Sequence, residues 1–374
     1  MSDPTMKNEF TKNAIRVTVL VLCLLALDRL PALTQHTRGF GRVSFLVREM
    51  HNGELNADDY HALAAGYYEG LENVDRISKD AVENNDYRLR DDFLRFDFKP
   101  GVNRQSENGI RFSNRFGMPN PDAYGYDKPP HTRRIAWLGD SVSVGPYGHS
   151  FETLLEKKLN RDALTPEVER YQMLNFSVRG YILLQKMDVA LEKAPKFHPD
   201  VYVVNLDSQE ILGSFKHIAK LLVRGTDLKY DFLKRITAQA GVRSSDHLNT
   251  IMVKLKPFFV PILQGALREI RDHAASEGSR TIIVLTAVPI DPDVTAADFD
   301  ELHRAVDGVG IPVIDLRNTF RNVNINEIQV APGGDIHPNL RGHQMIFDDL
   351  YSHLQSDAAA WAAITGQSSQ RPAR

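Results

Sequence analysis

The stretch Arg134-Ile135-Ala136-Trp137-Leu138-Gly139-Asp140-Ser141-Val142-Ser143-Val144-Gly145-Pro146-Tyr147-Gly148 decides how the chain is read. Ile135 to Leu138 reads as a short buried strand that stops abruptly at Gly139-Asp140-Ser141. Gly139 permits a tight turn after the strand, and Ser141 sits on that turn with its hydroxyl free to face a cleft. A helix follows from Ser150, a natural N-cap, with Phe151, Leu154, Leu155 and Leu159 on one face. A serine at the end of a buried strand, just ahead of a helix, is a common way to present a nucleophile. Gly-Asp-Ser also occurs in ordinary turns, so its weight depends on what the rest of the chain brings to it.

Outward from this stretch, strands alternate with helices, the mark of a parallel sheet covered on both faces. After Ile135 to Leu138 come strands at Tyr171 to Phe176, Val201 to Leu206, Thr281 to Leu285 and Ile311 to Asp315. Helices are expected over Ile182 to Leu191, Phe258 to Ala275, Asp298 to Val306 and Leu340 to Leu354. The expected fold is α/β: a doubly wound parallel sheet of about five strands over residues 131–357, with a polar, helical insertion at about 212–256. In such sheets ligands lie outside the carboxyl ends of the strands. Ser141, Gly180 and the turn Asp207-Ser208-Gln209-Glu210 all fall at such ends.

Ahead of this domain, residues 34–130 read as a stem and lead-in. Asp58 to Asn73 and Val74 to Asn84 have helical composition, and Phe93 to Phe98 alternates like a strand. Residues 1–12 form a tip carrying Lys7 and Lys12; with Arg16 these precede the apolar run Val17 to Leu27. The segment 13–33 is therefore expected to be a membrane signal anchor with its basic end cytoplasmic, a cleaved signal peptide being the alternative. Either way the body of the chain is exported to the bacterial envelope. The tail 358–374 is expected to be disordered.

Composition narrows the function classes. With 374 residues, 42% hydrophobic, there is material for a sizeable core. Lys and Arg (45) nearly balance Asp and Glu (48) and no long basic run stands out, so the footprint of a nucleic-acid binder is missing. The single cysteine, Cys23, lies in the N-terminal apolar run, which excludes an intrachain disulfide, a cysteine metal cage and a thiol nucleophile in the body of the chain.

A serine nucleophile needs a base and a group that orients the base. Asp335-Ile336-His337-Pro338-Asn339 lies just before the last helix, and Asp335 is placed to hold the His337 Nδ1–H, leaving Nε2 to take the serine proton. Oxyanion donors are available in the Ser141 and Gly180 N–H groups, with a side-chain amide from Gln209; Asn205, mid-strand, suits a structural hydrogen bond better.

These blocks resemble the SGNH (GDSL-type) hydrolases. Gly139-Asp140-Ser141 is similar to that family's first block, Asn175 to Gly180 to the second, Pro199 to Glu210 to the third, and Asp335 to Asn339 to the fifth. The resemblance spans about Arg134 to Leu354 and, with Asn114-Arg115-Phe116-Gly117 and the anchor, points to the membrane-anchored bacterial branch. It implies a flavodoxin-like SGNH fold, a Ser141–His337–Asp335 triad, and no metal or organic cofactor. Two departures matter. Where the third block reads Gly-x-Asn-Asp, this chain has Asp207-Ser208-Gln209-Glu210, and the acid stands two residues before the histidine, as in the alginate-acetylation relatives. The expected function is a serine esterase acting on acyl, especially O-acetyl, esters of an envelope or extracellular polysaccharide. The alternatives are a polysaccharide O-acetyltransferase using the same residues and a non-catalytic glycan-binding envelope protein on the same fold.

Overall fold

Five parallel strands form the centre of the structure, a computed structural model that describes residues 86–106, 109–120, 124–332 and 335–367. The tip and anchor (1–33), the helices expected over 58–84 and the tail residues 368–374 lie outside the described residues. Two short antiparallel hairpins come first, β1 (Tyr87–Leu89) with β2 (Phe96–Phe98) and β3 (Asn103–Ser106) with β4 (Gly109–Phe112). The α/β part then runs β5 (Thr132–Leu138), α1 (Ser141–Val144), α2 (Phe151–Asp162), β6 (Arg170–Asn175), α3 (Leu183–Glu192) and β7 (Val201–Leu206). It continues through α4 (Glu210–Val223), α5 (Asp231–Gln239), α6 (Leu248–Leu255), α7 (Phe259–Ser276), β8 (Arg280–Thr286), α8 (Pro292–Val306) and β9 (Val313–Leu316). Helices α9 (Leu340–Ser356) and α10 (Ala358–Thr365) close it.

The strand order is β6-β5-β7-β8-β9, the 2-1-3-4-5 arrangement of flavodoxin-like sheets. All four pairings are parallel, so both faces must be covered and the strands read as apolar throughout. Alternate residues feed two cores. Ala136, Leu138, Leu174, Tyr202, Val204, Leu206, Ile283 and Leu285 face α3, α4, α7 and α8. Ile135, Trp137, Met173, Val201, Val203, Ile282 and Val284 face α2, α9 and α10.

The open edge of β6 is sealed by side chains that imitate a neighbouring strand. Asn160 accepts from Tyr171 N (2.9 Å) and donates to Tyr171 O (3.0 Å), Glu156 accepts from Met173 N (2.8 Å), and Asn120 donates to Met173 O (2.9 Å) and accepts from Asn175 N. An edge so occupied offers no row of free amides to another chain.

Two expectations, on the insertion and on the tail, are corrected. The described part of the lead-in packs on the domain behind it: Phe93, Leu94, Phe96 and Phe98 belong to the core shared with α3 and α4. Arg134, fully buried, holds it by donating to the carbonyls of Tyr126, Asp127 and Phe197. The insertion at 212–256 is helical as expected but not polar inside, since Phe215, Ile218, Leu221, Leu233, Ile236, Ile251 and Leu255 are core residues. The run Leu248–Ser276 is long and apolar enough to cross a membrane by length and composition, yet Leu255, Ile262, Leu263, Leu267 and Ile270 on it are spent in this core. The start of the expected disordered tail is helix α10, capped by Asp357 and held at its end by Arg133, which donates to the Ile364 and Ala363 carbonyls.

The edge seal is testable. Asn160→Ala leaves the Tyr171 N–H and C=O without their partner and is expected to lower unfolding stability by about 1–2 kcal/mol, read as a shift in urea midpoint. An unchanged midpoint would show that the edge does not need it.

Candidate active site

Strand order reverses between β6 and β7, on either side of β5, so the crevice of this sheet opens at the carboxyl end of β5. Ser141 stands there, partly exposed, as the first residue of α1. Gly139 is required for space rather than for its backbone freedom. A Cβ at this position would lie 2.6 Å from Ser143 Cβ and 2.6 Å from Ser177 Oγ, so only glycine lets the strand end press against α1 and the β6 turn. Asp140 caps α1 by accepting from Val142 N (2.9 Å). The Ser141 amide donates no hydrogen bond among the described residues, as suits the first turn of a helix.

The second turn, Ser177 to Ile182, follows β6. Asn175 organises it, accepting from Ser177 N (2.9 Å) and donating to Ser143 O (3.0 Å) and to Glu152 Oε1 (2.5 Å). Gly180 takes φ +83, open to glycine without strain, and its amide also donates to nothing among the described residues. The third turn follows β7. Asp207 accepts from Gln209 N (2.8 Å), and Gln209, half-buried, immediately precedes α4 at the carboxyl end of the sheet. Asn205, by contrast, is fully buried within β7 and accepts from the Thr286 hydroxyl of β8, so it is a sheet residue and does not reach the crevice.

Asp335 and His337 form the pair expected of them. Asp335 Oδ1 lies 2.6 Å from His337 Nδ1 and also accepts from the His337 backbone N–H (2.9 Å), while Oδ2 accepts from Ala331 N (3.2 Å). With Nδ1 carrying the proton, Nε2 is left as the acceptor. Burial would raise the Asp335 pKa, but the side-chain and backbone hydrogen bonds from His337 hold it below the usual carboxylate range. Pro338 and Asn339 fix the loop: Gln329 bridges Pro338, and Asn339 caps α9 through Arg341 N and Gly342 N while donating to Glu327 O and Gln329 O.

Helix α9 packs on α2 and brings this loop to the Ser141 end of the sheet. His343, buried on α9 and stacked on Phe151, marks the meeting point. Its ring lies against Gly145, four residues from Ser141, and burial together with the charge of His337 pushes its pKa down to about 3, so it stays neutral. Among the described residues no hydrogen bond joins Ser141 to His337.

Sequence reading missed the charges beneath this surface. Lys186 of α3 has a fully buried side chain and donates to Asp140 Oδ2 (2.8 Å), to Asn205 O (2.7 Å) and to Glu210 Oε1. Burial alone would lower its pKa; the carboxylates of Asp140, Glu210 and Asp207 instead push it above the ordinary lysine range. The Asp207 pKa is also driven up, well above the carboxylate range, by burial and by Asp140 and Glu210. Carboxyl oxygens of Asp140, Asp207 and Glu210 lie within 4.8 Å of one another, a spacing a metal ion could bridge, but the Lys186 ammonium already bonds two of the three. A lysine inside the apolar run Leu183-Leu184-Gln185-Lys186-Met187 was the available signal, because lysine is almost never fully buried unless paired.

No protein-family model and no curated protein matches the sequence. Solved structures do resemble the fold. TesA is similar at 15% identity over 60% of this chain and 99% of that one, with a TM-score of 0.37. The psychrotrophic esterase EstA from Pseudoalteromonas sp. is similar at 12% identity over 60% and 97%, TM-score 0.37. A two-domain esterase active on acetylated mannans is similar at 11% identity over 65% and 52%, TM-score 0.40.

Glu152, beside Asn175, provides a test of the buried network. Burial is the main cause that raises its pKa to about 8, so the folded protein holds a proton there that the unfolded chain releases near pH 4.5. The stability this supplies is complete below the unfolded value and is lost as pH rises through the folded one. Stability measured by urea unfolding is expected to fall between pH 5 and pH 8 in the parent, by at most ~1.4 kcal/mol per pH unit from this group. Glu152→Gln should flatten that decline; equal slopes in the two proteins would contradict the assignment.

Proposed function

We propose that the chain is a serine esterase whose nucleophile is Ser141, with His337 as base and Asp335 as its orienting acid. The single observation that carries this reading is the Asp335–His337 bond of 2.6 Å at Nδ1, which aims a proton-accepting Nε2 from the loop that α9 brings to the Ser141 end of the sheet. In the substrate complex Nε2 takes the Ser141 hydroxyl proton as Oγ attacks the ester carbonyl; a base that engages its nucleophile only when substrate binds is common. The Ser141 and Gly180 amides, both without a protein acceptor among the described residues, and the Gln209 amide stabilise the oxyanion. Collapse of the tetrahedral intermediate expels the alcohol, which takes its proton from His337. Water then attacks the Ser141 ester by the same route in reverse.

The favoured substrates are acetyl esters on an envelope or extracellular polysaccharide. Support comes from the two-residue spacing of Asp335 and His337, which resembles that of the alginate-acetylation relatives. The same spacing keeps a second reading open, transfer of the acetyl group from Ser141 to a sugar hydroxyl in place of water. The basic-then-apolar segment at 13–33 supports an exported enzyme held at the membrane with its site outside the cytoplasm.

With p-nitrophenyl acetate, Ser141→Ala and His337→Ala are each expected to lower kcat/KM by at least about 10³-fold, and their combination should cost little more than either alone. Parental turnover retained in both variants would exclude the assignment. Free acetate released from an acetylated glycan indicates hydrolysis, whereas acetyl gained by an unacetylated glycan indicates transfer.

A further inference from the structure

We propose that Lys186 is a positioning residue that couples the three turns carrying Ser141, Gly180 and Gln209 and holds nucleophile and oxyanion donors in register. The inference rests on the serine-esterase reading above and extends it to a residue that touches no substrate. Each arm of the coupling is visible. Towards the nucleophile, Lys186 bonds Asp140, which caps α1 through Val142 N and immediately precedes Ser141. Towards the second turn, Glu210 Oε2 accepts from Leu183 N (2.5 Å), the first residue of α3, three residues beyond Gly180. Towards the third, Lys186 bonds both Asn205 O and Glu210, and these flank the Asp207–Gln209 turn. One ammonium thus ties the ends of β5 and β7 to the start of α3, with Glu210 serving two of the three turns.

Stability alone does not account for this arrangement. An ion pair taken out of water often does no better than well-packed apolar residues of similar volume. Around Lys186 the same helix packs Leu183, Leu184 and Met187 into the core, so a methionine at 186 would suit the packing. The charge lies instead where misplacement matters: about 1 Å of displacement in a reacting constellation can cost ~10²-fold in rate.

The coupling is tested by cutting its two arms with near-isosteric changes. Asp140→Asn keeps an N-cap acceptor for Val142 and removes the charge that Lys186 holds; Glu210→Gln does the same on the other side. Parent, both single variants, the double variant and Ser141→Ala are compared on p-nitrophenyl acetate, with kcat expressed per site titrated by diethyl p-nitrophenyl phosphate. Each single variant is expected to lower kcat by about tenfold or more with KM within about twofold, and the double variant to be no slower than the worse single, because both cut one network. A purely structural role would reduce melting temperature and titratable fraction but leave kcat per titrated site at the parental value, and that result overturns the proposal. Losses that simply multiply in the double variant overturn the coupling. Should Glu210→Gln not fold, Asp140→Asn alone decides by the same kcat criterion. If Ser141→Ala keeps parental turnover, the serine reading itself fails; if it loses turnover while Asp140→Asn and Glu210→Gln do not, only the role of Lys186 fails.

Discussion

Strand β5 has β6 on one side and β7 on the other, and the chain leaves β5 towards the face covered by α2 but leaves β6 and β7 towards the opposite face, covered by α3 and α4. No helix can cover the end of β5 without blocking one of those departures, so a crevice is left there. Everything at the site follows from filling the space under that crevice. Gly139 is the residue that lets the filling be tight, with α1 and the β6 turn within van der Waals reach of its Cα. The nucleophile turn is therefore set by backbone packing, and its side chains project from a floor that is already fixed.

That floor is polar, which is costly. Lys186, Glu210, Asp207, Asp140 and Glu152 are all buried, and each carries a desolvation penalty that only partners can offset. The offsets are specific. Lys186 pairs with Asp140 and Glu210, burial and the neighbouring carboxylates push the Asp207 pKa well above the usual carboxylate range, and Glu152 is both raised in pKa and bonded to Asn175. A sheet held together by the apolar alternation of Val201 to Leu206 and Arg280 to Thr286 would not need such groups for its fold. Their concentration under three strand ends, tied together by one lysine, is what links this part of the structure to chemistry.

Much of this was legible in the sequence, for reasons that differ element by element. Val201 to Leu206 announces itself because a strand buried on both faces is uniformly apolar and β-branched, and its observed bounds are those expected. The Asp335–His337 pair is local, two residues apart, so sequence proximity nearly guarantees it. Asn205 was separable from Gln209 because strand burial decides which side chain reaches a crevice. What escaped was long-range. Lys186 meets Asp140 across 46 residues and Glu210 across 24, and periodicity describes a helix face without saying which charges lie opposite it. The insertion at 212–256 looked polar because its apolar residues are spaced for a helix and diluted by lysines and arginines, whereas in the fold Phe215, Ile218 and Leu233 all turn inward. Composition likewise suggested a loose tail from Ala358, but Arg133 and the cap at Asp357 make a helix of its Ala358–Thr365 part.

The central claim is that Ser141, served by His337, is an activated nucleophile. An organophosphorus ester reports this directly, because the activated oxygen attacks phosphorus and keeps the adduct. After incubation of the protein with a fluorophosphonate and proteolysis, mass spectrometry is expected to place one phosphonyl group on the peptide containing Ser141, and none in His337→Ala at the same exposure. An unmodified Ser141 in protein that is folded and intact, or a phosphonyl group on a different serine, would contradict the account.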